Sequence, residues 1–146
     1  MIYALNTSKY AIRAVIYLAL NGNKDSKIGI KQISKDLSIP TPFLGKILQS
    51  LAKHKLLAST KGPHGGFSLG KSASDISLMD IVEIIDGLDS FNMCVLGLES
   101  CTTSESNCPI HSNYASIREQ LKNLFQTENI GILVEKIKSS EKQLII

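Results

Sequence analysis

The chain has 146 residues, 43% of them hydrophobic and 20% charged, with four prolines. That size and balance suit one folded core and exclude global disorder and the two-domain layout of a typical dinucleotide-dependent enzyme. The net charge of +3 conceals a division: residues 1–75 carry eleven Lys/Arg against three Asp/Glu, whereas residues 76–146 carry five against ten. A basic first part points to a polyanion partner, because Lys and Arg that neutralise phosphates release counterions and supply most of the non-specific affinity for DNA. The longest apolar run, Ala14 to Leu20, is seven residues, about a third of a bilayer crossing. Arg13 lies inside the only candidate apolar segment, which Asn21-Gly22-Asn23 ends without a clear small-residue cleavage site, so a cytosolic protein with no membrane partner is expected.

In chain order, Thr7 or Ser8 is placed to cap a first helix running to about Leu20, with Ala11, Ala14, Val15 and Leu18 at helical spacing. Ile30, Ile33 and Leu37 make one face of a short second helix, and Ser38-Ile39-Pro40-Thr41 reads as a turn. Thr41 is placed to cap a third helix with Pro42 at its first position, where a missing N–H costs nothing. Leu44, Ile47, Leu48 and Leu51 form its buried stripe, which leaves Thr41, Gly45, Lys46, Gln49 and Lys53 on or near the outer side. Two short helices around a tight turn are a helix-turn-helix.

Leu57–Thr60 and Phe67–Leu69 read as strands around Lys61-Gly62-Pro63-His64-Gly65-Gly66, a hairpin tip with a cation at its base. Directly after a helix-turn-helix, such a hairpin is a wing. One helix then enters the major groove and the hairpin reaches the neighbouring backbone or minor groove. The expected fold is therefore mainly α, a winged helix-turn-helix with a small β-hairpin. Its DNA contacts are Thr41, Pro42, Lys46 and Gln49 on the helix, with Lys61, Gly62, His64 and Gly65 on the wing.

Ser77 and Asp80 form a capping-box start for a helix from Leu78 to about Asp86, with Gly87 as its stop. About twenty residues of loop follow, a length that points to function or disorder. Pro109 then opens a last long helix in which Ile110, Tyr114, Ile117, Leu121 and Leu124 recur at spacings of 4, 3, 4 and 3. That is a heptad seam. Beside a DNA-binding head it suggests a homodimer, which would present two recognition helices about 34 Å apart to an inverted-repeat operator on double-stranded DNA. From Glu128 onward a short packed segment around Ile130 to Ile137 and a poorly ordered tail are expected. Residues 1–75 form the head, and residues 76–146 the loop and dimerisation helix, packed with it as one unit.

The loop holds all three cysteines, Cys94, Cys101 and Cys108, every seventh residue, and His111 stands three positions after the last. Three thiolates and an imidazole are a complete metal-ligand set. Zinc accepts such a set, but its structural sites usually contain Cys–Cys spacings of two to four residues, absent here. Six-residue gaps suit a flexible loop around a larger inorganic core, and iron–sulfur clusters take thiolates with histidine as a substitute. A zinc site, a metal-free regulator, and an electron-transfer or thiol-redox protein are the competing readings. No Cys-x-x-Cys, Gly-rich nucleotide loop or nucleophile elbow supports the last of these.

Over most of its length the chain resembles the Rrf-two family of bacterial winged-helix regulators, which includes the iron–sulfur cluster regulator and the nitric-oxide-sensitive repressor. The resemblance rests on Tyr10-Ala11-Ile12-Arg13-Ala14, on Pro42-Phe43-Leu44-Gly45-Lys46-Ile47-Leu48, and on the run from Lys61 to Leu69. It continues through Leu78 to Gly87, the three-cysteine loop and the long helix. It implies no enzyme but a homodimeric transcription factor, usually a repressor, whose cluster sets operator affinity. Cys94, Cys101 and Cys108 fall at the family's cluster thiolates, and His111 matches the histidine that implies a 2Fe-2S cluster, which aerobic preparation can strip. The nitric-oxide sensors recruit a carboxylate near the start of the partner's first helix; Lys9 aligns there, which argues against their 4Fe-4S arrangement. Lys61 stands for a more common arginine, Phe43 for a tyrosine, and Gly45 for a glutamate that some members use to discriminate bases.

Overall fold

The computed structural model of the protein describes residues 5, 7–22, 25–98 and 108–140. Helix α1 spans Ser8–Asn21 and buries Ala11, Ala14, Val15, Ile16 and Leu18. Its start differs from expectation, for neither Thr7 nor Ser8 caps it with a side chain of its own. Instead the Asp86 carboxylate accepts hydrogen bonds from the Ser8 N–H at 2.9 Å and from Ser8 Oγ at 2.5 Å. A carboxylate is a stronger acceptor than a hydroxyl and complements the positive end of the helix dipole. The partner distant in sequence therefore takes the place of the local one.

Helix α2 (Ile30–Leu37) turns into α3 (Thr41–Lys53) through Ser38, which adopts a left-handed φ of 54°. Thr41 does not cap α3. The helix begins at Thr41 with Pro40 before it, and Thr41 Oγ1 donates to Ser34 Oγ at 2.9 Å. Ser34 Oγ donates in turn to the Ile39 carbonyl at 2.6 Å, so these hydroxyls fasten the turn rather than the helix end. Pro42 occupies the first turn, where the N–H groups lack helical partners anyway. The buried stripe is Leu44, Ile47, Leu48 and Leu51, as the 3.6-residue period predicts.

Strands β1 (Leu57–Thr60) and β2 (Gly66–Leu69) pair antiparallel, Leu57 opposite Leu69 and Thr60 opposite Gly66. Ile28 adds a one-residue third strand, exchanging two 2.9 Å backbone hydrogen bonds with Phe67. That contact requires glycine next to it: φ at Gly66 is +153°, and a Cβ there would lie 2.4 Å from the Ile28 carbonyl oxygen. The wing is thereby fastened to the segment that leads into α2.

Helix α4 (Leu78–Ile85) opens on the predicted capping box. The Asp80 N–H donates to Ser77 Oγ at 3.0 Å, and the Ser77 N–H donates to the Asp80 carboxylate at 2.9 Å. A 3-10 turn (Leu88–Phe91) leads into the loop that carries Cys94. Helix α5 (His111–Thr127) packs on α4, and α6 (Ile130–Ser139), capped by Asn129, packs on α1 and on a 3-10 turn at Ala73–Asp75. Backbone bonds from Leu78 N–H to the Glu128 carbonyl and from Ile130 N–H to the Ile76 carbonyl hold the end of α5 against the start of α4. One hydrophobic core runs through Leu18, Leu44, Leu48, Phe67, Ile76, Ile81 and Ile130. The fold is the expected mainly helical winged helix with a two-stranded wing. The tail expected after residue 140 lies outside the described residues.

Candidate nucleic-acid interface and thiolate site

Opposite its buried stripe, α3 presents Pro42, Lys46, Gln49 and Lys53, all exposed and spaced 4, 3 and 4 apart on one ridge. Thr41 and Gly45 are half-buried. Thr41 is bonded to Ser34, and a Cβ on Gly45 would meet Ile30 Cδ1 at 3.3 Å. Gly45 therefore lies against Ile30 of α2, where a side chain would crowd that contact. On the wing, Lys61, Gly62 and His64 are exposed, while half-buried Gly65 donates its N–H to the Gly62 carbonyl at 2.9 Å and closes the tip.

The α1 flank of α3 carries a feature that residue-by-residue reading missed. Phe43 is 37% exposed and meets the Tyr10 ring edge-on, with centroids 5.4 Å apart. Lys9 Nζ and the Arg13 guanidinium lie 5.0 Å and 5.9 Å from the same Tyr10 ring. Two cations of α1 are thereby held beside the start of α3. The signal was present in the i, i+3 spacing of Tyr10 and Arg13, but the partner Phe43 is thirty-three positions away.

The two helices preceding α3 are locked together by polar bonds. Arg13 Nη2 donates to the Leu37 carbonyl at 3.1 Å, and the Tyr17 hydroxyl donates to Asp36 Oδ2 at 2.5 Å. Gln32 Nε2 donates to both oxygens of Asp36 at 2.9 Å. Burial, then the hydrogen bond to Asp36 and its charge, push the Tyr17 hydroxyl up to about 12. The bonds from Gln32 and Tyr17 hold the Asp36 carboxyl below the usual carboxylate range.

At the thiolate site, Cys94 is buried and its Sγ lies 3.8 Å from Sγ of half-buried Cys108. A disulfide would require about 2.05 Å. Two thiolates held tetrahedrally at about 2.3 Å from one metal ion lie about 3.8 Å apart, so the pair has the spacing of a chelate. The Leu96 N–H donates to Cys94 Sγ at 3.3 Å, the kind of bond an anionic sulfur accepts. His111 follows in the first turn of α5, its N–H donating to the Cys108 carbonyl at 3.1 Å. Among the described residues no group of three His, Cys, Asp or Glu side chains closes on one point, so of the three predicted ligands that are described the structure brings two together. Cys101 lies outside the described residues. The donor chemistry and the spacing of the two sulfurs fit a thiolate-bound inorganic group.

Around the site, Met93, Val95, Leu96 and Leu98 are exposed large hydrophobics, as is Leu88 before them. Helix α5 buries no residue of its own. Ile110, Ile117 and Leu124, each seven apart, are 38%, 59% and 48% exposed. Tyr114 and Leu121 are half-buried and lean towards the inner side, because a straight helix drifts relative to a strict 3.5-residue repeat. Phe125, on that inner side, packs edge-on against fully buried Phe91 at 5.4 Å. Among the described residues no helix is long and apolar enough to cross a membrane.

Comparison with known proteins gives a consistent picture. A family profile named Rrf2 and described as an iron-dependent transcriptional regulator matches residues 5–136. Over 130 residues the chain is 35% identical to a protein of Aquifex aeolicus (strain VF5) that carries the name HTH-type transcriptional regulator, with 88% of this chain and 89% of that one covered. It is 28% identical over 126 residues to the HTH-type transcriptional regulator IscR of Klebsiella pneumoniae (strain 342), covering 86% and 76% of the two chains. The solved structure of T. potens IscR has the same fold, with a TM-score of 0.73 at 16% identity and coverage of 94% and 89%.

Proposed function

Because the chain belongs to the Rrf2 family and is a DNA-binding transcriptional regulator rather than an enzyme, we propose that it is a homodimeric repressor of an inverted-repeat operator, with affinity set by a 2Fe-2S cluster on Cys94, Cys101, Cys108 and His111. The observation that carries the cluster reading is the chelate spacing of Cys94 and Cys108 at the root of α5. When bound, such a group supplies a redox-active, chemically labile centre. The chain's own residues do the rest. Residues 1–75 act as the head, with Pro42, Lys46 and Gln49 directed at base edges, and Lys61, Gly62 and His64 at the backbone or minor groove. Thr41 and Gly65 shape the two contacting segments and offer backbone to the phosphates. Residues 76–146 act as sensor and dimer arm, with Ile110, Ile117 and Leu124 as the seam and Tyr114 and Leu121 at its edge.

Cys94 and Cys108 draw together the ends of the loop between α4 and α5. Asp86, at the start of the segment leading to Cys94, is bonded to Ser8 at the start of α1, and α1 meets α3 through Tyr10 and Phe43. A change in the loop is thereby connected by packed contacts to the helix that reads DNA.

The first test is anaerobic purification followed by visible absorption with iron, sulfide and zinc assays, repeated on Cys101→Ala. A coloured protein with iron and sulfide that bleaches in the variant is expected. A colourless protein with zinc or no metal after reconstitution would discard the cluster and leave the DNA-binding regulator. Duplexes selected from a random library then test the operator: loaded protein that binds an inverted repeat no better than random DNA at moderate salt would remove that reading. Lys61→Ala is expected to weaken binding across sequences and to lower the salt slope by about 1.

A further inference from the structure

Helix α5 turns one face inward, carrying His111, Tyr114, Ala115, Arg118, Lys122 and Phe125, all half-buried. Two polar atoms on that face are buried without a hydrogen-bond partner among the described residues: the Tyr114 hydroxyl and Arg118 Nε. A buried polar group left without a partner is unfavourable, more so when charged, so two of them one helical turn apart mark a missing acceptor. Their position shows where it belongs. Side chains on a helix lean towards its N-terminus, which carries Tyr114 and Arg118 towards His111 and Cys108. The Arg118 guanidinium is also tied to the segment that carries Cys94, for its Nη1 donates to the carbonyl of Asn92, two residues before that cysteine, at 3.3 Å. Tyr114 thus lies one turn after His111, Arg118 is tied to the segment that leads to Cys94, and one of the two orphaned donors belongs to a cation. An acceptor that satisfies both is anionic and accepts several hydrogen bonds, as sulfur atoms of a thiolate-bound cluster do.

We propose that Tyr114 Oη and Arg118 Nε are hydrogen-bond donors to the iron–sulfur centre and raise its reduction potential. This rests on the cluster reading above and assigns two residues beyond its four ligands. The sign follows from charge: one-electron reduction adds a negative charge to the centre, and a guanidinium and a hydroxyl dipole aimed at it favour the more negative form. Leu96 N–H, already on Cys94 Sγ, acts in the same direction from the loop side.

The test uses the full-length reconstituted protein as wild type, Tyr114→Phe, Arg118→Gln and, on the exposed side of the same helix, Asn113→Ala. Midpoint potentials are read by anaerobic spectroscopic titration in mediator-buffered solution, with iron and sulfide determined on each sample. Arg118→Gln is expected to reduce the equilibrium constant for one-electron reduction about tenfold, a fall of about 59 mV. Tyr114→Phe, which keeps the ring and its packing, is expected to move the potential in the same direction by less, and Asn113→Ala to leave it in place. In the reduced wild type transferred to deuterated buffer, pulsed electron paramagnetic resonance should show an exchangeable proton coupled to the centre that Tyr114→Phe lacks. Equal potentials and unchanged proton couplings in wild type and both variants, at equal iron and sulfide, would mean that other groups take these bonds and would overturn the proposal while leaving the cluster standing. A wild type that takes up no iron and sulfide would remove the cluster and this proposal together.

Discussion

The head and the α5 arm solve opposite problems. In α3 four leucines and isoleucines are buried within the chain and the polar ridge opposite them faces outward, so the helix is satisfied by its own fold on one side and presents chemistry on the other. Helix α5 is longer, yet it buries nothing fully and leaves Ile110, Ile117 and Leu124 in the open. An apolar row of that kind is unusual on a protein that works alone. The comparison separates residues that stabilise the chain from residues held in reserve for a second molecule, and substitutions in the two places should report on different quantities.

The largest effect is expected in the head. Leu48 is fully buried at the centre of the core, and Leu48→Ala should lower unfolding free energy by about 2–5 kcal/mol, the range for a core leucine that leaves a cavity. Denaturant unfolding monitored by circular dichroism checks this, and a loss below 1 kcal/mol would mean that the core collapses around the gap. Ile117→Asp is the matching change on the arm. It places like charges across the proposed seam, a juxtaposition that costs several kcal/mol at an interface, while removing little that the single chain buries. Sedimentation should show monomer in place of dimer with the helical spectrum retained. A variant that stays dimeric would move the interface elsewhere, towards the exposed hydrophobics around Cys94.

Asp86 lies on the boundary between the two regions and should show an intermediate effect. Its carboxylate receives both Ser8 donors, and Asp86→Ala should cost about 1–2 kcal/mol, given that the site is only partly buried and that charged hydrogen bonds are the stronger kind. The same variant should loosen the start of α1, seen as faster amide exchange at Lys9 and Tyr10. Unchanged exchange there would show that the first turn is held by packing alone.

Legibility from sequence divides along the same line. The α3 stripe, the hairpin tip and the Ser77–Asp80 box were readable because each is local: a period of 3.6, a cluster of Gly and Pro, and a pair three residues apart. Those rules fail where a distant group competes. Thr41 is a good N-cap in isolation, but Ser34 offers its hydroxyl a partner that also fastens the turn. Ser8 lost its capping role to a carboxylate 78 positions on, and Ile28 gave no strand signal because a one-residue strand has no alternation to read. On α5 the heptad count placed Tyr114 and Leu121 with the exposed residues, whereas the packing of α5 on α4 turns them partly inward. Sequence pattern found the thiolate ligands as candidates, but only the folded structure could show that Cys94 and Cys108 meet while Tyr114 Oη and Arg118 Nε find no hydrogen-bond partner among the described residues.

The smallest expected effect tests whether the head is as self-contained as its burial suggests. Tyr17 on α1 and Asp36 on α2 share a hydrogen bond at 2.5 Å, with the tyrosine pushed up to about 12 and the carboxylate held low. A raised tyrosine contributes stability that is present in full below its ordinary value near 10 and is lost as pH rises towards 12. A lowered carboxylate contributes stability above about 3.9 that is lost as pH falls through its depressed value. The pair therefore favours the folded head throughout the neutral range and yields at both extremes. Ultraviolet titration of the four tyrosines should show one ionising about two units above the ordinary value in the native protein, and Asp36→Asn should bring it part of the way back, since burial remains the leading cause of the shift. If all four titrate together near 10, water has reached the Tyr17 hydroxyl, and the α1–α2 contact is held by Arg13 and the apolar core without help from this pair.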